Sequence, residues 1–539
     1  MKKSIISLCS VGILMLTGCS DDYLTVASEG DVTTTTLFAT TRMLDGAVNG
    51  LSLIMSSTYS SDGFGRQGYN GEATISLWYG DYKSSDAQYS NATSYLSVIC
   101  SNHNELATSD YTYYPWYYYY RLIGNANAII TDGDKAEGTQ AERDFYIAQA
   151  LVYRAHAYTQ LAALYCKRWV DSRNGQSRGL PLRLTDDRGD MACSTLAEVY
   201  DLVYADLDRA LALFAGTNLT RGKALWRTDA SIAHGVYSRA ALAKQDWATA
   251  ATHAAAAREG YQLMNPADYW AGFNTANSEW MWETYTDATE NLGVNGFFAY
   301  IGANTGSSKG YKYIGSIDKG LIEQIPAEDS RYEIFMVPRE GESGWATSDS
   351  GRAKKGDFYD RVKKQYESRI DKKNTYIYPY MSTKFQKIDD RSIGCVPIMR
   401  AAEMIYNEAE ALCMQGGQEP KVRALLEEAV TPYQPGYTCT LSGEALLNEV
   451  KLYKRFDLWG EGRHYFDQKR WNVDLVRPGW KDGGNWHPQF AASGATGGAY
   501  DTKGKNNWCI CIPTKETDYN NLINYNIEPD NWTKDSPQQ

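Results

Sequence analysis

The sequence predicts a mostly α-helical body whose helices alternate with long, loop-rich, irregular regions carrying short strands. Two observations lead to this. Apolar residues recur at three- and four-residue steps in two zones, about 115–260 and 397–471. The regions around them, about 40–114, 261–396 and 472–539, are polar, glycine-punctuated and aromatic, without sustained helical period.

In 143–166, Phe145, Ala148, Val152, Ala155, Tyr158, Ala162 and Tyr165 form one continuous stripe. Thr195 precedes Leu196, with Glu198 three residues on, a capping box that starts a helix running to about Phe214. Asp229 caps a helix from Ala230 to Lys244. After the short Asp246-Trp247 joint, an alanine-rich helix continues to about Arg258. Short joints and small residues at the crossings suggest helix pairs close to tetratricopeptide architecture, although the strict repeat signature is absent. A later helix is expected over Pro397–Met414, with Pro397 in its first turn and Gly416-Gly417 as its stop. Another is expected from Ser442 to about Trp459, with Glu444 in its acidic first turn. The run Glu279-Trp280-Met281-Trp282-Glu283 reads as packed strand. Helices and loops interleave without a Pro/Ser-rich linker, so one large body is expected.

At the N-terminus, Lys2 and Lys3 precede a mostly apolar stretch from Ile5 to Leu16, too short to span a bilayer permanently. It ends in Leu16-Thr17-Gly18-Cys19, the pattern at which bacterial lipoproteins are cleaved and acylated. Residues 1–18 are therefore expected as a signal peptide and 19–539 as the mature body, with Cys19 carrying the lipid. The chain has 54 Lys and Arg against 65 Asp and Glu, a net charge of −11, and no basic block interleaved with aromatics. That disfavours a nucleic-acid partner. Eight cysteines lie beyond Cys19. Export permits disulfides, and most of these cysteines are expected as small buried hydrophobes, with room for one or two bridges.

Several segments, taken in order, resemble the SusD/RagB-like nutrient-binding outer-membrane lipoproteins of Bacteroidetes. Besides the lipobox with Tyr23-Leu24, they are Trp116 to Asn127, Ala148 to Tyr165, and Gly179-Leu180-Pro181-Leu182. In the C-terminal half, Met399 to Ala411 is similar to the family's R-x-x-E-x-x-L-x-x-A-E-A helix. Phe456 to Trp471 is similar to its E-L-x-x-E-G-x-R-x-x-D-x-x-R-W segment, with Asp457 in place of the usual glutamate. Ile512-Pro513 with Glu516 resembles the terminal I-P-x-x-E, and the usual Asn-Pro-Gly-Tyr tail is missing. The resemblance implies a tetratricopeptide-like scaffold at the outer-membrane surface. It also implies a SusC-like TonB-dependent transporter as partner and capture of an oligosaccharide, less often a peptide, without catalysis. Tyr114 to Tyr120 then either line the transporter interface or pack a helix start.

Glu461, Arg463, Asp467, Arg470 and Trp471 place mixed charges at the spacing of bidentate ion pairs, and Arg400, Glu403, Glu408 and Glu410 read the same way, as scaffold. A surface glycoside hydrolase would instead need two carboxylates facing each other across a sugar, and the neighbouring arginines oppose a general-acid role for Glu461 or Asp467. With 6 His and no H-E-x-x-H or paired Cys/His spacing, no metal is expected, and no phosphate loop or other cofactor motif is present. Sugar capture needs flat aromatic faces flanked by polar groups. Trp78, Tyr79 and Tyr82, with Asp81 among them and Gly80 to keep the turn open, are the first candidates. Trp345 is the second, followed by Trp270 and Trp486.

Overall fold

The computed structural model describes residues 38–57, 71–89, 106–185, 189–286, 296–305, 315–343, 353–371, 376–388, 394–479, 482–486, 499–500 and 508–523. Cys19 with its leader and Trp345 lie outside these residues. The longer helices are α1 (Thr41–Ser56), α2 (Asp110–Asp132), α3 (Gln140–Tyr165), α4 (Leu196–Ala215), α5 (Ala230–Lys244), α6 (Trp247–Ala257), α7 (Ala401–Gln415), α8 (Glu419–Val430), α9 (Gly443–Asp457) and α10 (His464–Trp471). From α2 to α8 each helix packs against the next, and α1 lies on α2 and α3. Three two-stranded antiparallel pairs complete the fold. The strands are β1 (Ala87–Tyr89), β2 (Trp280–Glu283), β3 (Gly315–Ile317), β4 (Pro397–Arg400), β5 (Leu475–Val476) and β6 (Ala499–Tyr500), paired β1–β3, β2–β4 and β5–β6.

The expected caps are present. Thr195 accepts from the Glu198 amide while the Glu198 carboxylate accepts from the Thr195 amide, and Asp229 and Asp246 cap α5 and α6. Helix α3 is buried on nearly every face from Phe145 to Tyr165, so its stripe is only the most apolar part of a central helix. Gly416, at φ 75°, stops α7 in a conformation that disfavours side chains.

Three expectations need correction. The helix expected from Pro397 begins at Ala401, because Pro397–Arg400 pairs with β2 as β4. Ser442 precedes α9 without a side-chain capping bond. Among the described residues of 40–114, helix outweighs loop. They contain α1, a short helix Gly71–Ile75 running into the π-helical turn Ser76–Asp81, and the start of α2 at Asp110. The tyrosine-rich run hid the first turn of α2, since tyrosine has middling helix propensity and only packing decides its state.

Pro115 lies inside α2, so it supplies no amide for the Tyr111 carbonyl one turn earlier. That carbonyl instead accepts a hydrogen bond from Tyr79 Oη at 2.6 Å. Cys166, Cys193, Cys395, Cys413, Cys439 and Cys509 are free thiols, and burial pushes the Cys193 thiol up to about 11.

Candidate functional site

The charged motif residues converge at the junction of β4 and α7. Arg400, fully buried, ends β4 and aims its guanidinium at three carboxylates. Its Nη1 bonds Glu279, its Nη2 lies 3.0 Å from Asp457 Oδ1, and its Nε donates to Glu461 Oε2 at 2.7 Å. Glu461 also accepts from Lys384 Nζ at 2.5 Å, and the same ammonium donates to the Asp457 and Trp459 carbonyls. Asp457 Oδ2 accepts from Tyr406 Oη and lies 3.1 Å from Arg331 Nη1. Burial alone would push the Asp457 carboxyl up, but Arg400 and Arg331 outweigh it and hold it below the usual range.

Three further knots extend this framework. Glu410 of α7 accepts from Arg470 and from Trp471 Nε1, while Asp467 bridges Arg470 and Lys454. Glu403 takes a bidentate Arg239 at 2.7 and 2.6 Å. Glu408 pairs with Arg258 and Lys421. The motif carboxylates are thus bound to cations that join α5, α7, α9 and α10. Neither Glu461 nor Asp467 is placed as a general acid: one is shared by Arg400 and Lys384, and the other is held low by Lys454 and Arg470 against its burial.

The first-choice sugar residues occupy the core. Trp78, Tyr79, Asp81 and Tyr82 are between 0% and 4% exposed. Trp78 meets Tyr82 and Tyr300 edge-on at 5.3 and 5.5 Å. Gly80 does not open a turn: a Cβ there would fall on the backbone of Gly462, so its role is close approach. Asp81 accepts from the Gly462 amide at 2.5 Å and lies 3.3 Å from His464 Nδ1. Burial pushes Asp81 up to about 8 and pushes His464 down to about 4, so both are uncharged at neutral pH. Trp486 is likewise buried, its Nε1 3.3 Å from Asp318 and its ring covered by Arg477. Trp270 is half-buried, donates to the Ser330 carbonyl at 3.2 Å, and has Arg369 over its ring. Among the described residues, the structure does not gather the other six candidates into one surface, and Trp345 lies outside those residues. The sequence reading treated loop aromatics as open platforms, and packing has consumed most of them.

The Tyr114–Tyr120 run also packs inward. Tyr118 and Tyr119 donate to Glu72, whose other partner is His156 of α3. Sequence reasoning missed a cleft between α3, α5, α7 and α10, lined by Gln160, Arg239, Asn407 and Arg463 among others. The available signal was polar: Asn407 lies between Glu403 and Glu410 on one face of α7, and Gln160 follows His156 by one turn of α3.

A family model described as "SusD family" matches residues 240–534, and a second, described as "Starch-binding associating with outer membrane", matches 55–242. No curated protein matches the chain. A SusD-like carbohydrate-binding protein from Bacteroides vulgatus is 22% identical over 90% of this chain and 98% of its own, with a TM-score of 0.71. A SusD superfamily protein from Bacteroides thetaiotaomicron is 19% identical over 90% and 99%, also at 0.71. Surface glycan-binding protein A from Bacteroides thetaiotaomicron, solved with laminarihexaose, is 15% identical over 88% and 97%, at 0.62. At these identities the likeness is one of fold.

Proposed function

Since this chain belongs to the SusD family, we propose that it captures an oligosaccharide at the outer-membrane surface and hands it to a SusC-like TonB-dependent transporter, with no chemistry of its own. Family membership is the observation that carries this reading. The Leu16-Thr17-Gly18-Cys19 lipobox supports anchoring through acylated Cys19. Among the described residues no helix is long and apolar enough to cross a membrane, which agrees with a body held by its first residue. The match of residues 55–242 to a starch-binding, outer-membrane-associated model supports a glycan ligand, as does the laminarihexaose bound to one protein of this fold. The order in which α4 to α8 pack, each on its sequence neighbour, supports the tetratricopeptide-like description of the scaffold.

The absence of chemistry is argued from the carboxylates. Glycosidic hydrolysis needs an acid and a base or nucleophile flanking the scissile bond. Glu279, Glu403, Glu410, Asp457, Glu461 and Asp467 each face an arginine or lysine instead. Of the seven aromatic and acidic candidates, Trp270 and Trp345 are the ones we retain as sugar platforms, because the other five are buried beneath packed rings and backbone.

The test is a glycan and peptide panel titrated calorimetrically into the protein lacking residues 1–18, with product analysis of every hit. Saturable binding of an intact glycan supports capture. Cleaved product overturns the non-catalytic claim, and binding of peptides alone moves the ligand to that class.

A further inference from the structure

The cleft between α3, α5, α7 and α10 encloses about 770 Å³ of empty space, including the part open to solvent. Its rim is half-buried at Ala163, Trp169, Gln245 and Phe466, and its floor is buried at Gln160, Glu403 and Asn407. Seven cationic side chains line it against two carboxylates. Some of that charge is already met: Arg470 and Lys454 share Glu410 and Asp467, and Arg168 pairs with Asp171.

Arg463 is not met. Its Nε donates to the Gly462 carbonyl at 3.1 Å and its Nη2 to Gln160 Oε1 at 3.4 Å. Its Nη1 comes only to 4.0 Å of Glu403, whose carboxylate is already taken by the bidentate Arg239. Burial and the neighbouring Arg239 push the Arg463 guanidinium down, against the pull of Glu403, Asp467 and Glu72. Arg239, which also lines the cleft, uses Nε and Nη2 on Glu403 and the Ile398 carbonyl, and Nη1 is outside these bonds.

Asn407 supplies the second observation. It is 1% exposed, it lines the cleft, and neither its Oδ1 nor its Nδ2 has a hydrogen-bond partner among the described residues. A buried amide left unpaired is costly, so an apolar residue would serve the fold of α7 better. An orphaned donor beside an under-compensated guanidinium fits an oxygen-rich anion. The guanidinium provides parallel N–H groups for two oxygens, and the amide donates to one and accepts from a hydroxyl.

We infer that this cleft binds a small oxyanion, held by Arg463 and Asn407 with Arg239 beside them. Its carboxylate or phosphate group gives Arg463 the close partner that Glu403, 4.0 Å away, does not. The source is either a sugar acid, whose ring would lie against Trp169, Tyr200 and Phe466 in the cleft wall, or free inorganic phosphate. This does not depend on oligosaccharide capture, and a chain that binds no neutral glycan can still bind here.

The experiment is calorimetry on the protein lacking residues 1–18, at low ionic strength and neutral pH, with glucuronate, glucose and inorganic phosphate as separate titrants. We expect saturable binding of glucuronate or phosphate, the tighter of the two naming the source, and glucose at least tenfold weaker. Asn407→Leu and Arg463→Lys should each weaken that binding at least tenfold. Asn407→Leu should keep or raise the melting temperature, which separates lost binding from lost folding. Binding of neither anion, binding unchanged in either variant, or glucose binding as tightly as the tighter anion would overturn the assignment.

Discussion

Asp457 holds two buried arginines with one carboxylate: its Oδ1 lies 3.0 Å from Arg400 and its Oδ2 lies 3.1 Å from Arg331. The family pattern has glutamate where this chain has aspartate. The shorter acid still reaches both cations because Arg331 is also held by Asp329 and Arg400 by Glu279 and Glu461. Replacing Asp457 with Asn keeps the shape and removes the charge, leaving two guanidiniums buried with less compensation. Such a loss costs about 3–5 kcal/mol, a large share of the roughly 5–15 kcal/mol that holds a domain folded. Chemical denaturation should show Asp457→Asn destabilised by that amount, and Tyr406→Phe, which removes only a neutral donor, by about 1 kcal/mol. Equal small losses in both would mean that the network carries little of the stability.

Asp81 predicts an alkaline loss of stability. Its carboxyl is raised from 3.8 to about 8, so the folded chain keeps a proton that the unfolded chain releases. The resulting stabilisation is fully present below about pH 4 and disappears as the pH rises through 8. His464, lowered from 6.5 to about 4, acts in the opposite sense below 6.5, so the clean window is pH 6.5–8.5. Asp81→Asn still accepts from the Gly462 amide and cannot ionise. Its stability relative to wild type should therefore rise by about 1–3 kcal/mol across that window. Parallel unfolding profiles for the two proteins would show that Asp81 is charged when folded.

The same residue shows where sequence reading stopped. The capping boxes at Thr195 and the caps at Asp229 and Asp246 were legible because a cap is a local bond between residues two or three apart. The scaffold role of Arg400 and Glu461 was legible from mixed charge alone. Asp81 was not, since its burial is set by residues 462 and 464, nearly four hundred positions away. Trp78 and Tyr79 looked like open-loop aromatics for the same reason: the partners that bury them, Tyr300 and the Tyr111 carbonyl, lie outside any local window.

Tyr79→Phe tests the repair of α2 at Pro115. The hydroxyl bonds the carbonyl for which Pro115 supplies no amide, so its removal takes a hydrogen bond from a partly buried C=O. The expected loss is about 1–3 kcal/mol. Restoring the missing amide with Pro115→Ala in the Tyr79→Phe background should recover part of it, read by thermal unfolding. An unchanged Tyr79→Phe protein would mean that water replaces the hydroxyl.

Gly80 and Gly124 look alike in sequence and should behave in opposite ways. Gly80 packs against Gly462 so closely that a methyl group would fall on its carbonyl, and that neighbour is backbone with nowhere to move. Gly462, at φ 82°, is in turn pressed onto Ser76, so the strain of Gly80→Ala has no outlet on either side. The cost should exceed the roughly 1–3 kcal/mol of ordinary overpacking and appear as lost soluble protein. Gly124 lies exposed in α2 with nothing within 4 Å of a built Cβ. There the gain in helix propensity acts alone, and Gly124→Ala should stabilise by about 0.5–1 kcal/mol. Soluble, normally melting Gly80→Ala protein would show that the 76–81 turn and the 460–463 segment do not meet as closely as described.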